Sequence, residues 1–87
     1  MKMLRKPIEA IVLFDLEGNP VPVRFRYLDD RSELITVKVD RVIKRELDKF
    51  AGNRMLKFTC QTRIGNLVKP FELRFEIDTS RWYIYKI

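Results

Sequence analysis

Two runs of strictly alternating residues meeting at Gly65-Asn66 constrain this chain more than any other feature. MLKFTCQTRI (55–64) and LVKPFELRFEID (67–78) place apolar side chains at nearly every second position, the period of a strand with one face buried. Two turn-forming residues between such runs specify a β-hairpin, and the loop length fixes its register. Pairing Ile64 with Leu67 sets Cys60 against Phe71, Phe58 against Leu73 and Leu56 against Phe75, all apolar and all on one face. Lys57, Thr59, Gln61 and Arg63 fall on the other face, across from Arg74, Glu72, Pro70 and Val68. Glu72 and Glu76 are then diagonal neighbours of Lys57 and balance its charge.

A third run, RWYIYKI (81–87), extends the hairpin into a meander. A connection through Asp78, Thr79 and Ser80 pairs Phe75 with Tyr83, Leu73 with Tyr85 and Phe71 with Ile87, and sets Glu72 against Lys86. The run then stops short of Pro70, whose missing donor faces no neighbouring strand. This register turns Trp82 and Ile84 outward. A slip by one residue turns both inward, with Lys86. The first register is the expectation.

The first half of the chain reads as further strands behind a charged, frayed lead-in at 1–6. Ile8 to Phe14 is short and apolar, the signature of a strand buried on both faces or nearly so. Val21 to Leu28 alternates, and pairing Phe14 with Val21 brings Val12 to Val23, Ala10 to Phe25 and Ile8 to Tyr27. Pro22 marks an edge or a bulge. Leu34 to Ile43 resumes the alternation, with Tyr27 facing Ile35 and Phe25 facing Val37. That register sets Lys38 opposite Arg24, with Arg26 next along. Ile43, Leu47 and Phe50/Ala51 recur at helical spacing before Gly52, so a short helix is expected at 44–51; an extended strand followed by a long loop is the alternative. The fold class is therefore all-β and mainly antiparallel, one domain over 1–87. Its expected form is six strands in a small barrel-like or rolled sheet.

The residue inventory removes most enzyme chemistry. With no histidine and one cysteine, the chain has no Ser-His-Asp or Cys-His machinery and no thiolate or imidazole metal cluster. Cys60 falls on the inward face as an inert thiol, and its solitude fits a reducing bacterial cytoplasm. No phosphate-cradling glycine loop is present, and the acidic pairs Asp29-Asp30 and Glu46/Asp48 read as solvated charge. No apolar run approaches the ~20 residues of a membrane helix. The expectation is a non-enzymatic protein with no cofactor, no metal and no membrane segment.

The charge balance suggests a partner. Residues 1–43 hold eight Lys/Arg against seven Asp/Glu, and residues 44–87 hold ten against five, so the net charge of +6 divides as +1 and +5. Cations that meet phosphates and an aromatic that stacks on bases would make a single-stranded nucleic-acid surface. The candidates are Arg24, Arg26, Lys38, Lys57, Arg63, Arg74 and Trp82. The alternative is self-association or another protein contact through the C-terminal strand, using an apolar strip of Val68, Trp82 and Ile84. A small-ligand site inside the barrel is a third reading.

At AGNRMLKFTCQ (51–61) and FELRFEIDTSRWYIYKI (71–87), and in its N-terminal IEAIVLFD and EGN stretches leading to PVRF, the chain resembles a group of short uncharacterised bacterial proteins of clostridial type. The resemblance runs over nearly the whole chain. It implies a stand-alone small β domain of unknown function and carries over no active site.

Overall fold

The alternating runs become eight antiparallel strands in the computed structural model, which describes residues 1–50 and 52–87, with Phe50 in its backbone alone. They are β1 (Met3–Pro7), β2 (Glu9–Phe14), β3 (Pro20–Leu28), β4 (Leu34–Lys38), β5 (Arg41–Phe50), β6 (Asn53–Ile64), β7 (Leu67–Glu76) and β8 (Arg81–Lys86). They form a five-stranded sheet, β1-β8-β7-β6-β5, and a three-stranded sheet, β2-β3-β4. The all-β antiparallel class is the one expected. Among the described residues the strands number eight rather than six, and their two sheets do not close into a barrel.

The β6–β7 register is the one that Gly65-Asn66 dictates: Ile64–Leu67, Cys60–Phe71, Phe58–Leu73 and Leu56–Phe75 are partners. Gly65 has φ 60° and Asn66 an ordinary negative φ, the pattern of a type II′ hairpin turn. Between β7 and β8 the outcome differs from the expectation. The connection takes an additional residue, Ile77, so Phe75 pairs with Trp82 and Leu73 with Ile84. A bulge at Tyr85 then restores the pairing of Glu72 with Lys86. One inserted residue thus buries Trp82 and Ile84 while leaving Lys86 beside its carboxylate. Burying an indole and an isoleucine removes more apolar area from water than burying two tyrosines, whose hydroxyls stay wet. The outward orientation expected of Trp82 and Ile84 is therefore corrected: they are 9% and 0% exposed.

The three-stranded sheet follows its expected β3–β4 register, with Tyr27–Ile35, Phe25–Val37 and Arg24–Lys38 as partners. Against β2 the expected Ala10–Phe25 pairing holds, but a bulge at Val23 shifts the remainder to Val12–Pro22 and Phe14–Pro20. Pro20 and Pro22 are buried, and Val23 is turned out instead. Both prolines lie beyond the end of β4, so neither missing donor interrupts a ladder. The loops at both ends of β3 are built alike. Asp15 Oδ1 accepts the amides of Glu17 and Asn19 at 2.9 and 2.8 Å, and Asp29 Oδ1 accepts those of Arg31 and Glu33, both at 2.9 Å.

The chain passes between sheets at two places. At Ile8, whose N–H donates to Trp82 C=O at 3.1 Å, it leaves β1 for β2. At Val39-Asp40 it leaves β4 for β5, splitting what the sequence presents as one strand from Leu34 to Ile43. Asp40 fixes that crossing: its Oδ2 accepts the Arg63 amide at 2.7 Å and the buried Thr62 hydroxyl at 3.3 Å. The Arg63 amide is also the main cause that holds the Asp40 carboxyl below its usual pKa.

Two more expectations are corrected. Residues 3–7 are a strand rather than a frayed lead-in, and Lys2 and Ile87 exchange backbone hydrogen bonds at 2.7 and 3.0 Å. The segment 44–50 is strand, not helix; Ala51 lies outside the described residues. Leu47 faces Leu56, and Glu46 and Asp48 face Lys57 and Arg74, so pairing with β6 satisfies a backbone that under three turns of isolated helix would leave marginal. The core between the sheets is Phe25, Val37, Phe58, Cys60, Phe71, Leu73, Trp82 and Ile84. Phe25 of one sheet meets Phe71 of the other with ring centroids 5.4 Å apart. No helix of the described residues is long and apolar enough to cross a membrane.

Candidate nucleic-acid interface

The strand register decides which cations share a surface. On the outer face of the three-stranded sheet, Arg24 and Lys38 are direct cross-strand partners, and Arg26 follows Arg24 two residues along β3. Arg26 is held by Glu9, its Nε and a terminal nitrogen at 2.8 and 2.7 Å from Oε2. Lys38 reaches Asp40 only at 3.7 Å and stays mostly exposed. Arg24 has no carboxylate within 4.0 Å among the described residues. An open depression of about 360 Å³ lies here, lined by Glu9, Ile11, Arg24, Arg26 and Thr36 among others. Like charges placed directly across a sheet repel, so a phosphate seated between Arg24 and Lys38 would relieve what the fold leaves unbalanced.

At the middle of the outer face of the five-stranded sheet the cations are paired. Lys57 pairs with Glu46 at 3.2 Å, a partner on β5 in place of the expected Glu72 and Glu76. Arg74 is clamped between Glu72 at 2.8 Å and Asp48 at 3.1 Å, and its guanidinium lies 4.1 Å from the Tyr85 ring centroid. Its side chain is 18% exposed and that of Glu72 only 7%. These cations are already neutralised, and Arg74 is a structural member of the sheet.

The remaining candidates separate. Arg63 is exposed near the β6–β7 turn, with Val68 as its cross-strand partner and its amide on the same Asp40 carboxylate that Lys38 reaches. Val68, Ile64 and Leu67 form an exposed apolar hairpin tip. Trp82 packs between Phe58 and Phe75, at centroid distances of 5.4 and 4.8 Å, and is not available to a base. The Val68–Trp82–Ile84 strip does not exist as a surface, and β8 is an interior strand of its sheet. Cys60 is fully buried, and desolvation pushes its thiol pKa up to about 12. Among the described residues no three His, Cys, Asp or Glu side chains gather to hold a metal.

The sequence reading missed one group. Ile11, Leu13 and Phe14, expected in a strand buried on both faces, are 61%, 63% and 59% exposed. An apolar run carries the same pattern whether both faces of its sheet are covered or only one, so only topology distinguishes them. Comparison with protein-family models, curated proteins and solved structures finds no match.

Proposed function

We propose that this chain is a non-enzymatic binding domain that takes a phosphodiester strand on the outer face of its three-stranded sheet. The observation that supports this is the contrast between the centres of the two outer faces. Lys57 and Arg74 are paired with carboxylates, whereas Arg24 is set against Lys38 and has no carboxylate within 4.0 Å among the described residues. Arg24 and Lys38 supply the phosphate contacts, Arg26 is oriented by Glu9, and the exposed Ile11 and Leu13 beside them offer apolar surface to sugars and bases. The lone buried thiol suits a reducing cytoplasm, where nucleic acid is at hand.

The test is anisotropy of a labelled single-stranded oligonucleotide at two salt concentrations, since buried Trp82 is no reporter of the surface. Affinity should fall as salt rises, with a slope of about −0.7 per phosphate neutralised. Arg24→Ala with Lys38→Ala should flatten that slope by about 1.4, whereas Lys57→Ala should leave it in place. Absence of binding at low salt, or an unchanged slope in the double variant, excludes this reading.

A further inference from the structure

We propose that the free edge of β2 is a self-association seam, through which two copies pair antiparallel about a twofold axis at Val12. Their three-stranded sheets would join into one continuous sheet. The inference rests on the strand edge and not on what binds the outer face, although Ile11 and Leu13 serve both.

The first support is the way the strand edges are protected. Among the described residues, β1, β5, β2 and β4 each have one side without a partner strand. Exposed edges invite pairing with other chains, and proteins blunt them with bulges, prolines, charges or short strands. The β1 edge has a register break between Met3 and Lys6, Arg5 at φ 51°, and Pro7. The β5 edge has a bulge between Val42 and Lys44 and charged residues at five of the six positions from Lys44 to Lys49. The β4 strand is five residues long and ends on Lys38. Of these edges β2 is the least protected: after Glu9 it reads Ala-Ile-Val-Leu-Phe with no proline or further charge, and the bulge in its ladder is taken up by β3.

The second support is the direction of the backbone groups. Asp15 N–H donates to Asn19 C=O at 3.0 Å. Hydrogen-bonded pairs alternate along an antiparallel ladder, so Leu13 shares its bonds with Val21, and the amides of Ala10, Val12 and Phe14 face the free side. The placement of Pro20 and Pro22 opposite Phe14 and Val12 agrees, since neither proline has a donor to give β2.

The third support is self-complementarity, which argues for a second copy over an unrelated strand. With the axis at Val12, Val12 meets Val12 of the second copy, and Ala10 meets Phe14, at hydrogen-bonded positions. The exposed Phe14 ring then lies over a small side chain. Ile11 meets Leu13 at the closer, non-hydrogen-bonded positions, so all four exposed aliphatic side chains share one patch. Glu9 falls opposite Asp15, but each carboxylate is engaged within its own copy, by Arg26 and by the turn amides. So short a seam belongs with small, reversible interfaces.

Sedimentation of the whole chain from low micromolar to its solubility limit tests this. The expected result is a monomer–dimer equilibrium that Ile11→Lys with Leu13→Lys weakens by at least about tenfold. Ile64→Lys, at an equally exposed apolar site on the hairpin tip, should leave it unchanged. Emission from buried Trp82 reports whether each variant is folded. Val12→Cys provides a second readout, because Cα atoms about 5.5 Å apart across a hydrogen-bonded pair lie within disulfide range. Oxidation should yield a covalent dimer, with shielded Cys60 taking no part. A wild-type chain that stays monomeric throughout, a Val12→Cys variant that does not cross-link, or a dimer of undiminished strength in the double-lysine variant overturns the proposal.

Discussion

Trp82→Ala should lower the free energy of unfolding by about 3–5 kcal/mol, as for other large aromatic truncations in cores. Domains of this size have roughly 0.05–0.15 kcal/mol of stability per residue, so the loss takes a large share of the margin. The indole is 9% exposed and touches both Phe58 and Phe75, which would border the void. Tyr83→Ala, one residue away but on the half-buried outer face, should have a much smaller effect. Urea unfolding followed by far-ultraviolet circular dichroism compares the two. Equal losses, or a larger one for Tyr83, would show that β8 lies in the straight register in which Phe75 faces Tyr83.

The second large effect is expected at Arg74. Arg74→Met strips Glu72 of its nearest cation while the carboxylate stays 7% exposed, and leaving half of a buried pair behind costs about 3–5 kcal/mol. The low end of that range applies, because Lys86 stands 4.0 Å from the other Glu72 oxygen. Adding Glu72→Gln should restore most of the loss, since the penalty comes from the stranded charge more than from the missing attraction. Such recovery in the double variant would be a coupling between neighbours, measurable as a double-mutant cycle. If Arg74→Met alone is neutral, the Glu72–Arg74–Asp48 cluster is surface decoration.

Alternation made much of the ladder legible before any coordinates. The β6–β7 and β3–β4 registers follow from period-two patterning and turn length, and with them the meeting of Arg24 and Lys38. What period two cannot express is an inserted residue. Val23 in β3 and Ile77 in the β7–β8 connection each put the following pairs one position out of step, and each changes which side chains are buried beyond it. Trp82 turned on such an insertion, because both registers of β8 offered apolar faces. The helix expected at 44–51 had a further consequence for the site. Once that segment is β5, Glu46 and Asp48 arrive beside Lys57 and Arg74, and two of the candidate cations are occupied. Ile11 and Leu13 were unreadable for a different reason: whether the outer face of a strand is covered is decided by the rest of the chain, not by its own composition.

The pairing of β1 with β8 orders events in time. Every other ladder in the molecule joins strands adjacent in the chain, whereas Met3 lies opposite Lys86. Local hairpins close small loops, and closing nearly the full length of chain carries the largest entropic barrier. The meander and the β2–β4 hairpins are therefore expected to assemble first, with β1 sealing the sheet from its edge. Loosening β1 then acts on how fast the native state is lost, and hardly on how fast it is reached.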